Sequence, residues 1–140
     1  MNSQLNDIKE RIQSLALKIN VPERLLPQYE YSTIDSRPYV DIDRSGTWYW
    51  IVSERGQESE RKTTNDENEL LYFVFDFITF SMALKYELEV RNSKDDPRRI
   101  IFSKQNELLG VLDITWQERR QEEERGILAI APFSEIDRLL

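Results

Sequence analysis

Apolar positions over residues 2–20 recur at helical spacing. Leu5, Ile8, Ile12, Leu15 and Ile19 stand three or four apart, with Gln, Lys, Glu and Arg between them. This predicts an amphipathic N-terminal helix over 2–20. Pro22 and Pro27 bracket residues 23–26, which predicts a short helical turn and then irregular chain through Pro38. From Tyr39 the period shortens to two. Val40 and Ile42 alternate with Tyr39, Asp41 and Asp43, and Arg44-Ser45-Gly46 supplies a turn. Trp48, Trp50 and Val52 then share one face of a strand while Tyr49 and Ile51 share the other. Residues 53–57 read as a second turn and 58–63 as a polar edge strand, so a three-stranded antiparallel meander is expected over 39–63.

Thr64-Asn65-Asp66-Glu67 fits a capping box, and a long helix is expected over 65–91. Its stretch LLYFVFDFITFSMAL is apolar around nearly the whole circumference, yet it is shorter than a bilayer requires and Asp76 interrupts it. It therefore reads as a central core helix rather than a membrane span. Asp96-Pro97 opens a further helix over 97–125, with Ile101, Leu108, Leu109, Leu112 and Trp116 on one stripe and the charge run QERRQEEERG as a solvated extension. Ile127 to Ala131 reads as a strand or packed coil at the start of a C-terminal tail, 127–140. The expected fold is α+β, with the meander packed on a layer of helices around the long central helix, in a single domain of 140 residues.

Composition narrows the function more than the fold. The chain has neither cysteine nor histidine, which removes disulfide frameworks, thiol nucleophiles, Ser-His-Asp triads and histidine acid–base catalysis together. No metal or cofactor motif is present, so none is expected. The net charge of -7 disfavours nucleic acid and anionic membrane as partners and favours a basic protein. The N-terminal MNSQLNDIKERIQ lacks the apolar core of a signal peptide, so a cytoplasmic location is expected.

Three clusters carry candidate chemistry. Trp48-Tyr49-Trp50 reads as two core tryptophans flanking an exposed Tyr49, a candidate anchor for a partner. Asp41, Asp43, Glu54, Glu58 and Glu60 lie on or beside the meander. They could serve a carboxylate-dependent hydrolase, through Asp41 with Asp43 or Glu54 with Glu58, but read better as an acidic docking face. Glu87, Asp95, Asp96, Arg98 and Arg99 fall where two helices meet. Arg98 and Arg99 oppose the dipole of the helix that they begin, so a structural ion-pair corner joining the helices is expected.

In order along the chain, SGTWYWIVSERGQE, NELLYFVFDFITFSMALKYELEVR, DDPRRIIFSKQNELL and a late APF resemble one family of immunity proteins from bacterial polymorphic toxin systems, numbered 63 in that series. The similarity runs from about Tyr39 to Phe133, and its most specific elements are Glu54-Arg55-Gly56 and Arg98-Arg99 followed by Phe102 and Gln105. It implies a small cytoplasmic protein that binds a toxin domain encoded beside it and neutralises it, and the missing catalytic apparatus agrees with a protein that is not an enzyme. With the acidic face, this gives Tyr49, Glu54, Glu58 and Glu60 as expected contacts with a basic toxin. A general adaptor is the remaining alternative.

Overall fold

The computed structural model describes residues 2–32, 36–91 and 94–134. The chain forms two compact units, 1–78 and 79–140. In the first, helix α1 (Ser3–Lys18) begins where Asn2 Oδ1 accepts the Leu5 amide at 2.8 Å, and it buries Leu5, Ile8, Ile12 and Ala16. A single 3-10 turn (Glu23–Leu25) follows, and then four strands: β1 (Gln28–Tyr29), β2 (Tyr39–Ile42), β3 (Trp48–Glu54) and β4 (Gln57–Thr64). They form one sheet in the order β1-β2-β3-β4.

The meander over β2, β3 and β4 is antiparallel, as its alternation and turns dictate. The sheet has a fourth strand, however, and is mixed. Gln28 and Tyr29 pair in parallel with Tyr39 and Val40. Two residues leave no periodicity to read, and this pairing depends on Pro38 O accepting the Gln28 amide at 2.9 Å and Val40 O accepting the Glu30 amide at 2.8 Å. The β3–β4 turn places Arg55 at φ 53° and Gly56 at φ 78°, so both central residues take the left-handed conformation that suits a two-residue hairpin.

The inward face of the sheet carries Val40, Ile42, Trp48, Trp50 and Val52, all buried, as the alternation requires. Helix α2 (Glu67–Val90) contributes residues 67–78 to this unit and 79–90 to the second. Its cap is Asp66 rather than Thr64. Asp66 Oδ1 accepts the Asn68 amide at 2.8 Å, while Thr64 Oγ1 accepts the Asp66 amide at 3.0 Å, so the capping-box register shifts by two. Leu70, Leu71, Val74, Phe75 and Ile78 are buried, and the Trp50 ring meets Phe77 edge-on with centroids 5.5 Å apart. Among the described residues, no helix is long and apolar enough to cross a membrane.

In the second unit the expected helix over 97–125 is two helices, α3 (Pro97–Leu112) and α4 (Ile114–Ile130). Asp113 makes the break. Its extended backbone ends α3, its amide donates to Leu109 O at 2.8 Å, and its Oδ1 accepts the Thr115 amide at 2.8 Å to cap α4. The chain then doubles back: Gln117 lies over Gly110, Asn106 bonds Glu124, and Arg98 reaches Ala131. A Cβ on Gly110 would stand 2.6 Å from Gln117 Nε2, so the absent side chain lets Gln117 lie close enough to donate to Asn106 O at 2.8 Å. α4 runs on to Ile130, so residues 127–130 are helical rather than strand or coil. Asp113→Ala is expected to lower stability by about 1 kcal/mol, the usual worth of a cap, in chemical unfolding followed by circular dichroism. An unchanged midpoint would show that the break does not rest on this carboxylate.

Candidate functional site

The outward face of the sheet is built on the turn between β2 and β3. Asp43 Oδ1 accepts the Ser45 amide at 2.9 Å, the Ser45 hydroxyl at 2.7 Å and the Thr47 amide at 3.0 Å. Asp43 Oδ2 accepts the Tyr49 hydroxyl at 2.9 Å. These donors, led by the Ser45 hydroxyl, hold the Asp43 carboxyl down at about 2. The same bond raises the Tyr49 hydroxyl above its ordinary range, because the phenolate would face a carboxylate. Tyr49 is thereby fixed in direction.

Arg61 completes the arrangement. Its guanidinium lies 5.4 Å from the Tyr49 ring centroid and grips Glu58 with two bonds, Nε to Oε2 at 3.0 Å and Nη2 to Oε1 at 2.8 Å. In a regular strand, residues three apart point to opposite faces. Here the register shifts at Val52/Ser53: Val52 pairs with Glu60 and Ser53 with Glu58, leaving Ser59 as an extra residue. The bulge puts Glu58 and Arg61 on one side. Ile51, outward yet only 4% exposed, sits in the ladder between Tyr39 and Arg61, where the arginine stem can cover it.

The four expected contacts therefore separate. Tyr49 and Glu58 share this face through Arg61. Glu54 lies exposed at the hairpin end opposite Gln57. Glu60 stands opposite the inward Val52 and pairs with Lys62 at 3.2 Å, whose ammonium lies 5.2 Å from the Phe73 ring. Arg61 is the residue that sequence reading missed. A bulge has no reliable composition, and without it the i, i+3 pair looks misaligned.

A general acid needs a raised pKa, whereas Asp43 and Glu58 are both lowered by the groups that hold them. Asp41 Oδ1 accepts the adjacent Ile42 amide at 2.8 Å.

The expected ion-pair corner is reorganised. Glu87, 1% exposed, takes Arg91 one helical turn on, at 2.8 Å, rather than Arg98 or Arg99. Asp95 pairs with Arg99 at 3.0 Å and Asp96 with Arg98 at 2.9 Å, both joining the residues just before α3 to its first turn. Arg98 continues to Ala131 O and Pro132 O, and Asp96 Oδ2 accepts the Ser134 amide at 2.9 Å. Near neighbours in sequence satisfy most of these charges because a side chain one turn away costs no loop closure to reach. Buried Glu124 stands apart from this corner. Burial raises its pKa, and Asn106 Nδ2 donates to its Oε1 at 2.7 Å.

By sequence family, this α+β chain falls in the class of the immunity proteins. The chain belongs to the family described as Immunity protein 63, whose family model matches residues 44–126, more than half of the chain. Neither a curated protein nor a solved structure matches it.

Proposed function

We propose that this protein binds a cognate toxin domain one to one and neutralises it, acting in the cytoplasm of a bacterium and without catalysis of its own. The family match over residues 44–126 carries this reading, since that stretch includes the β3–β4 hairpin, α2, α3 and most of α4. The proposed contact is the outward face of the sheet, with Tyr49 at its centre, Arg61 and Glu58 beside it, and Glu54 at its rim. Tyrosine and arginine are over-represented among residues that dominate binding energy, and these two are held in place before any partner arrives, which reduces the entropy lost on association. Asp41, Asp43 and Glu58 outnumber Arg61 on this face, and the chain carries a net charge of -7, so the toxin surface that it fits is basic.

The test has two levels. Co-production with the toxin is expected to restore growth, and the purified pair is expected to form a 1:1 complex whose affinity falls with salt. Tyr49→Ala combined with Glu58→Lys should weaken that complex at least tenfold in titration calorimetry, whereas Glu60→Lys should change it little. Absence of both rescue and complex with the wild-type chain would end the immunity reading. A wild-type complex indifferent to the double substitution would move the contact elsewhere on the molecule.

A further inference from the structure

Two arginines in the first turn of α3 stand beside the positive end of its dipole, an unfavourable place for a cation. The far end of α4 supplies the reason. α4 finishes at Ile130, and Arg98 donates to Ala131 O at 2.7 Å and to Pro132 O at 2.8 Å. The charge that opposes one helix dipole therefore complements another.

The rest of residues 131–134 is held from the same corner. The Phe133 ring lies 6.0 Å from Phe102, packs on the cluster of Ala83, Ile101 and Phe102, and is covered by Arg99 at 4.3 Å and Arg98 at 5.5 Å. The Ser134 amide donates to Asp96. Two carbonyls on a forked guanidinium, one amide on a carboxylate and one ring in an apolar seat under cations are the means by which proteins hold an extended peptide.

We propose that residues 96–99, with Phe102, form a peptide cradle filled in cis by residues 131–134, and that this strap leaves and returns as a unit while α3 and α4 stay folded. The ligand class is an extended segment bearing an aromatic side chain next to free carbonyls. Independent opening follows from where the contacts lie. Both Arg98–carbonyl bonds are exposed and Phe133 is only half-buried, whereas Gln105, Leu108 and Leu109 anchor α3 from buried positions that the strap does not supply.

Native-state hydrogen exchange on the full chain, read by NMR at rising sub-denaturing urea, tests this. The Ser134 amide is expected to exchange through a low-energy opening with little urea dependence, and the Leu108 and Leu109 amides only through large, strongly urea-dependent unfolding. Arg98→Ala should speed Ser134 exchange at least tenfold and leave Leu109 within twofold, with Arg98→Lys between, since it keeps the charge and loses the fork. One shared urea dependence for Ser134 and Leu109 in the wild type would overturn the proposal, as would an Arg98→Ala variant with unaltered Ser134 exchange. Ser134 protection that rises with protein concentration would place the strap in a second copy and overturn occupation in cis. If Arg98→Ala does not fold, the wild-type urea dependence decides.

Discussion

Replacing Trp50 by alanine is expected to remove about 3 to 5 kcal/mol of folding stability. Trp50 is 1% exposed on the central strand β3, between Val40 of β2 and Lys62 of β4, with its ring edge-on to Phe77. Truncation would remove the transfer free energy of an indole and also leave a cavity, because strands hydrogen-bonded on both sides cannot close over the gap. Native proteins are stable by only about 5 to 15 kcal/mol. The urea midpoint should fall by roughly 2 M at an unchanged slope, given an m-value of about 2 kcal/mol/M. Tyr49→Ala, on the outward face of the same strand, should move the urea midpoint far less, because it removes a cross-strand contact and the bond to Asp43 rather than core packing. Equal losses at the two positions would mean that the tryptophan face is not the core face.

Asp96→Ala is the second large effect, at about 2 to 4 kcal/mol. This carboxylate caps α3 by accepting the Arg98 amide at 3.0 Å, pairs with the Arg98 guanidinium and takes the Ser134 amide. A cap contributes about 1 kcal/mol and charge-assisted bonds about 1.5 to 3, not fully additive. The pH dependence has a definite sign. The Arg98 guanidinium, acting against burial and helped by the Ser134 and Arg98 amides, holds the Asp96 carboxyl well below the usual carboxylate range. A depressed native pKa gives stability that is fully present above the unfolded value of about 4 and is lost as pH falls through the native one. Asp96→Asn keeps a capping oxygen without the charge. The stability gap between wild type and Asp96→Asn should therefore be widest near neutral pH and narrow steadily below about pH 4. Glu124, whose pKa is raised by burial, has the opposite slope but is common to both chains and cancels in the difference. A gap constant from pH 7 to pH 2 would show that the Asp96 charge does not contribute to folding.

The elements that were legible in the sequence are those whose periodicity is complete within one segment. The stripe of Leu5, Ile8 and Ile12 makes α1, and the alternation through Trp48, Trp50 and Val52 makes β3. Both patterns persist because one face of each element must leave water. β1 was not legible, being two residues long and paired with a strand ten residues on. The break at Asp113 left a signal that the apolar stripe outweighed: an Asp-x-Thr step with the aspartate at an N-cap. At the candidate site, Tyr49 could be placed on the outward face by counting in twos. Glu58 could not be joined to Arg61, because the extra residue Ser59 inverts the count.

By itself, the sequence determined the α+β composition of elements, the core tryptophans, the acidic balance and the family. These depend on residue type and local period, which the chain carries whatever its fold. Only the tertiary structure decided which charges meet. It gave Glu87 to Arg91, Glu58 to Arg61, and Arg98 both to Asp96 and to the carbonyls of Ala131 and Pro132. The physical reason is the reach of an ion pair: a few ångströms separate partner from non-partner, and in a chain with 26 carboxylates and 19 basic side chains, composition alone leaves almost every pairing open.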